Sequence, residues 1–318
     1  MQATTIEHPI IAAMQKRHFI ALDVAPFVGS IAAAFALHRA GLTRGDWIAF
    51  AVMWLLGVIG IELGFHRYFS HAAFATSQFG RGLLAILGSM GGQGPVVTWA
   101  STHRHHHNYS DTPSDSHTPF HYRGAAHASL GGFIHAQLTW KWSYPYPNPS
   151  LYTPQLARDP LITKISRYYY LWIALGLLFP GLISAALSWN LNGLWTGLLF
   201  GGVIRLFLGQ QVTFLINSLC HLAGSRPFET KDRSRNIGWL VPLTLGGSLH
   251  NSHHAFPSTS NNALLRGQVD PGYWVLLIAQ RLGLVWNLRK INPDAVAKRT
   301  LANARRTVET ESAALGEG

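Results

Sequence analysis

The chain has 318 residues, of which 48% are hydrophobic and only 12% are Asp, Glu, Lys or Arg, and its mean hydropathy is +0.13. Soluble domains carry about 25% charged residues, so the composition excludes an ordinary water-soluble globule and points to a membrane protein. A net charge of +11 in so apolar a chain marks a cytoplasmic face or contact with anionic lipid rather than nucleic acid, and a single cysteine, Cys220, excludes an internal disulfide framework.

In chain order, a cytoplasmic N-terminal segment (1–18) leads into four stretches close to the roughly 20 apolar residues that a bilayer core requires. They run over about 19–38, 47–65, 168–188 and 194–216. Short turns around Gly41, Gly45 and Asp46, and around Asn190, Asn192 and Gly193, make them two helical hairpins. Both termini and the long central loop then share one side, and their Lys and Arg content makes that side cytoplasmic. The fold expected is an all-α membrane protein: four transmembrane helices and a helical cytoplasmic cap built from 66–167 and 217–293. The membrane domain as a whole covers 19–293, and a polar tail occupies 294–318. A fifth apolar stretch, Phe79 to Val97, is rich in glycine and reads as an interfacial or re-entrant helix. A run from Ile237 to Leu249 and an amphipathic stretch from Tyr273 to Leu288 pack on the cap or lie along the interface.

Three histidine clusters stand out among the 17 histidines: His66 with His71, His103 with His105, His106 and His107, and His250 with His253 and His254. Positions i, i+3 and i+4 share one helix face, so His103, His106 and His107 can converge, as can His250, His253 and His254. His66 and His71 are further apart around an ideal helix, which places one of them beyond the end of the second span. One histidine alone is ordinarily a hydrogen-bonded core or loop residue. HxxxxH, HxxHH and HxxHH on one membrane face exceed what one tetrahedral zinc uses, and indicate two metal ions. Imidazole-rich ligation suits iron, copper or zinc, and redox work on an apolar substrate favours iron. Asn217 and His221 share a face at the end of the fourth span, pointing toward the clusters. Arg205, Gln210 and Gln211 lie inside that span, where polar groups face a cavity or the bundle interior.

These residues resemble the integral-membrane fatty acid desaturase family, in its stearoyl-CoA (delta-9) branch. The likeness runs from about Gly64 to Ile291, through Gly64-Phe65-His66-Arg67, Trp99 with the His103 cluster, Arg167-Tyr168-Tyr169, Asn217-Ser218 with His221, and Asp270-Pro271-Gly272-Tyr273-Trp274. It implies two irons held by His66, His71, His103, His106, His107, His221, His250, His253 and His254, with Asn217 reaching one iron through water. His105 matches a variable position. The family's bent acyl tunnel implies substrate contacts at Gln93, Trp99 and Thr213, while Trp54 and Val58, one turn apart on the second span, limit chain length if they face the tunnel. Where acyl-CoA desaturases carry an Arg-Asp pair that helps hold CoA, this chain has Ser101 and Thr102, with Gly94 in place of a nearby polar contact. The carrier is therefore open among CoA, a carrier protein and a glycerolipid.

The activity implied is an O2-dependent desaturation of a saturated or already unsaturated acyl chain at the membrane lipid surface. Two hydrogens leave adjacent carbons, and two electrons come from an external ferredoxin or b-type cytochrome. Hydroxylation or triple-bond formation on the same scaffold is the nearest rival. A histidine-rich metal transporter or sensor would need ligands at mid-membrane depth, and a zinc hydrolase would need a general-base carboxylate within the clusters. Glu62, one turn before His66, is a candidate to fix that ring's tautomer, although an ion pair with Arg67 or Arg205 is the simpler role.

Overall fold

In the computed structural model, which describes residues 3–300, four helices are long and apolar enough to cross a membrane: Pro9–Ala40, Arg44–Ser70, Tyr169–Ser188 and Asn192–Leu222. Of the segments outlined above, residues 1–2 and the tail from 301 onward lie outside the described residues. The first span opens where Pro9 presets a helical φ and the His8 ring accepts from the Ile10 N–H, so Pro9–Phe19 is a helical extension of the apolar run.

The second span starts at a capping box. The Thr43 hydroxyl accepts from the Asp46 N–H at 3.2 Å, and the Asp46 carboxylate accepts from the Thr43 N–H at 2.8 Å. The other Asp46 oxygen accepts from the Ser184 and Thr196 hydroxyls, each at 2.7 Å. A buried carboxylate thus pins the tips of the two hairpins together, at the end of the bundle opposite the histidines. Side chains facing outward along the spans are apolar: Phe35 is 73% exposed, and Trp189 and Trp195, 95% and 60% exposed, stand near one hairpin tip. Such a surface is costly in water and normal in lipid, with tryptophan at the interface.

Three spans contain π-helical stretches, Ile20–Val24, Ile59–Ser70 and Leu198–Ile204, in which each N–H reaches back five residues. The helix Gln78–Ser89, too short to span a bilayer, crosses the second span at two glycines. A Cβ on Gly60 would lie 2.2 Å from the Gly88 nitrogen, and one on Gly88 would lie 2.3 Å from the Phe65 ring. This close approach sets the helix Val96–Tyr109, which follows Pro95, beside the end of span two. Phe65, Ile61, Val96, Ala100 and Ile162 form the buried cluster between them.

The cap also carries His250–Ala255 and Pro271–Arg281. The amphipathic stretch expected from Tyr273 to Leu288 is not one helix: it ends at Arg281, and Val285–Trp286 pairs antiparallel with Ala75–Thr76. Arg67, fully buried, ties this C-terminal part to the second span. Its five N–H groups donate to Glu62, to both oxygens of Asp270, and to the Ser260 and Leu245 carbonyls.

Candidate metal centre

The π-helical end of span two decides where the first histidine pair stands. Because its turns take up more residues than an α-helix, positions five apart come to one side: the His71 N–H donates to the His66 carbonyl at 3.2 Å, and the two rings are 5.1 Å apart. Around them, the His66 Nε2 lies 2.9 Å from the His253 Nε2, and the His71 Nε2 lies 2.7 Å from the His103 Nε2. The His107 Nε2 completes this group, 3.1 Å from His103 and 2.9 Å from His253.

A second group holds His106, His221, His250 and His254, whose ring nitrogens all fall within 4.8 Å of one another. The expected convergence of His103, His106 and His107 on one point is therefore corrected, because His106 turns to the second group while its neighbours turn to the first. His250, His253 and His254 divide likewise, with only His253 in the first group. An i, i+3, i+4 triplet spans an arc wide enough to straddle two sites, and here the two groups share a wall in which His107 and His254 stack at 4.3 Å.

Four carboxylates hold the outer nitrogens of these rings. Glu62 accepts from the His66 Nδ1 at 3.1 Å, Asp115 from His106 at 3.0 Å, Asp111 from His221 at 2.8 Å and Asp232 from His254 at 2.7 Å. A proton on Nδ1 leaves Nε2 a lone pair, so three of the four rings in the second group aim acceptors at the same buried point. The His254 Nε2 has no hydrogen-bond partner there. Lone pairs that converge in this way repel one another unless a proton or a metal cation sits among them. With a metal–imidazole bond of about 2.1 Å, neighbouring ligand nitrogens lie about 3 Å apart, and the Nε2 contacts of the first group have that spacing. Both groups fit a metal ion.

Protonation favours the same role. Burial first, and neighbouring positive groups second, push His71, His103, His107, His250 and His253 well below the ordinary histidine range, so they are neutral and able to ligate. Burial would raise the aspartates, but the adjacent histidines outweigh it and hold Asp111, Asp115 and Asp232 below the usual carboxylate range. His117, stacked on His106 at 4.3 Å, is pushed down to about 3 by burial and by that neighbour.

Two cavities meet at the first group. A wide one of about 580 Å³ opens between exposed Arg17 and Arg167 and runs past Lys141, Tyr144 and Tyr169. A narrow one of about 70 Å³ continues down between spans two and four, to Trp54, Gly57 and Arg205. Gln93, Trp99, Thr213 and Asn217 line both, so the two cavities adjoin at these residues, beside His103. The Trp99 indole donates to Gln93 at 3.2 Å and its ring stacks on His103 at 5.0 Å. Trp54 and Val58 line the narrow limb rather than lipid alone. Buried Ser101 bonds to the Val97 carbonyl and to Thr153, each at 2.7 Å, while Thr102 and Gly94 line the wide limb.

His105 packs against Tyr109 and Tyr152 and belongs to neither group. The alternatives posed for Glu62 resolve into both at once, since it bonds His66 and Arg67, and Arg205 is the residue it does not touch. Asp111, Asp115 and Asp232 are the residues that the sequence reading missed. Their one available signal was scarcity: 14 acidic residues serve the whole chain, and two of them follow the second cluster within a few positions.

The profile of the fatty acid desaturase family matches residues 45–268. Among relatives, a hex-5-enoyl-[acyl-carrier protein] acetylenase of Moorena producens is 39% identical over 95% of this chain and 94% of its own length. An sn-1 stearoyl-lipid 9-desaturase of Anabaena variabilis is 30% identical over 91% of this chain and 98% of its own. Delta-9 acyl-lipid desaturase 1 of Arabidopsis thaliana is 29% identical over 92% and 91%. A profile match over most of the chain, and relatives aligned from end to end, settle the family: the chain belongs to the fatty acid desaturases, membrane oxidoreductases that act on acyl lipids.

Proposed function

We propose that the chain is an O2-dependent acyl desaturase with two irons, one held by His66, His71, His103, His107 and His253, the other by His106, His221, His250 and His254, with Asn217 reaching it through water. The observation that supports this reading is that both cavities share Gln93, Trp99, Thr213 and Asn217 and reach His103, so an acyl chain lying through them passes the ligand groups. Two irons in such a donor set would supply the activation of dioxygen. The protein's own part is positional. Gln93, Trp99 and Thr213 fix the bend, so that one pair of carbons stops at the centre, and regioselectivity follows from placement because neighbouring methylenes are chemically alike. Glu62, Asp111, Asp115 and Asp232 keep the ligand tautomers fixed throughout turnover.

Both termini and the metal site are cytoplasmic on this reading, since Arg17 and Arg167 line the cavity that reaches His103. That basic face suits an acidic electron donor, a ferredoxin or a b-type cytochrome. Arg17 and Arg167, lining the wide cavity, suit a phosphate on the acyl carrier, which CoA, a carrier-protein arm and a glycerophospholipid all bear, while Ser101, turned inward onto Thr153, departs from the way the acyl-CoA branch holds CoA. Expression with an electron donor in a desaturase-deficient host, followed by mass spectrometry of the fatty acids, tests the function. A new double bond at one position is the expected product, and His106→Ala abolishes it; wild-type turnover in that variant refutes the ligand assignment.

A second reading, triple-bond formation, draws on the relative in Moorena producens whose name is that of an acetylenase. Feeding saturated and alkenyl chains in parallel separates the two. An acetylenase converts only the alkenyl chain.

A further inference from the structure

Arg205 lines the narrow cavity, 3% exposed and inside a membrane span. Its Nε donates to the Gly201 carbonyl and one terminal nitrogen, Nη2, to the Gly176 carbonyl of span three, each at 2.9 Å. Among the described residues no carboxylate pairs with it. The nearest candidate on span two, Glu62, is taken by His66 and Arg67. The other terminal nitrogen, Nη1, makes no hydrogen bond among the described residues; it lies beside Gly57, which has no side chain to cover it, and both residues line the cavity.

We propose that Arg205 reads the far end of the substrate: the acyl chain that fills the narrow limb ends in a hydrogen-bond acceptor, best matched by an ω-carboxylate. A guanidinium already fixed by two backbone carbonyls is preorganised, and it keeps free donors for an oxygen. Its charge, deep in the membrane and without a counter-ion, is complemented by an anion and opposed by a methyl group. Twelve residues of helix separate Arg205 from Asn217 at the bend, about 18 Å at 1.5 Å per residue, so the contact selects length as well as terminal chemistry. Val58, Leu206, Gly209 and Val212 line the same cavity and offer the chain an apolar path. The inference rests on the acyl-path reading of the cavity.

The test compares medium-chain α,ω-dicarboxylic acids with monocarboxylic acids of equal carbon number, each used with its head carboxyl blocked as the methyl ester, so that the far end of the diacid is the one free carboxylate in each pair. Binding to the purified protein in detergent is read by thermal shift and by titration, without turnover. The wild type is expected to bind the best-fitting diacid at least about tenfold more tightly than its monoacid. Arg205→Met, of similar length and apolar, loses that preference while holding the monoacid as well or better, and Arg205→Lys keeps part of it. Equal binding of the pair by the wild type at every length overturns the proposal and leaves Arg205 a clamp between spans three and four. So does a preference that survives in Arg205→Met. If that variant fails to fold, the wild-type comparison still decides. Because no desaturation is measured, an inactive preparation does not mimic failure of the proposal; a monoacid that also fails to bind at any length would instead count against the acyl path itself.

Discussion

Asp115 accepts a hydrogen bond from the Nδ1 of His106 at 3.0 Å, and both side chains are sealed from solvent. The same aspartate accepts the Asp111 N–H at 3.0 Å, so one carboxylate fixes both a ring and the loop that carries the carboxylate of His221. Replacing it removes orientation while leaving every ligand nitrogen in the chain.

Asp115→Asn is therefore expected to lower metal affinity about 10- to 100-fold, the usual effect of losing such a partner. Metal content after dialysis against a graded chelator series checks this. Retention equal to wild type across the series would show that the aspartate is dispensable for ligand orientation.

The metal-free protein should lose stability in mild acid. His71, His103, His107, His250 and His253 resist protonation when folded, whereas in the unfolded chain they titrate near pH 6.5. Below that pH the unfolded state binds more protons, so stability is full above about 6.5 and falls as the pH drops. Melting temperatures of apoprotein between pH 8 and 5 should decline steeply, and a flat profile would contradict it.

Breaking the buried Glu62–Arg67–Asp270 network should cost about 3–5 kcal/mol, because Glu62→Ala leaves Arg67 buried with a lost partner. The variant also frees the His66 ring, so a lower melting temperature and lower metal content are expected together. Denaturation and metal analysis on one preparation measure both.

Gly88→Ala places a methyl 2.3 Å from the Phe65 ring, next in sequence to His66. Overpacking of this kind costs about 1–3 kcal/mol. Destabilisation should come with reduced metal occupancy, whereas Gly209→Ala, where an added Cβ meets nothing within 4 Å, should leave both unchanged.

His105→Ala provides the contrast within the second histidine cluster. His105 contacts Tyr109 and Tyr152 and neither ligand group, so metal content is expected to match wild type. A loss of metal equal to that of His106→Ala would overturn the division of that cluster.

Hydropathy alone located four spans, because twenty apolar residues in a row have few places to go other than lipid, and this information is local. Spacing alone singled out eight histidines, since clustered imidazoles need a common purpose, and His221 joined them only through the family resemblance. Neither could divide them. His106 and His107 are adjacent in sequence yet face different groups, and that partition depends on how the helix Val96–Tyr109 packs against span two and the helix His250–Ala255. Nor did spacing bring His66 and His71 together, because an ideal α-helix is the wrong ruler for a π-helical turn.

What the sequence determined by itself was the solvent the protein lives in, the ligand type and the family resemblance, all of which are written in residue type and short-range order. The tertiary structure decided which carboxylate serves which ring, which residues line the cavities beside His103, and that among the described residues buried Arg205, unlike buried Arg67 and Lys141, has no carboxylate partner. Hydrogen bonds and counter-ions are made between segments far apart in sequence, as Asp232 with His254 and Arg67 with Asp270 are. Only packing brings such partners within the few ångströms over which those interactions act.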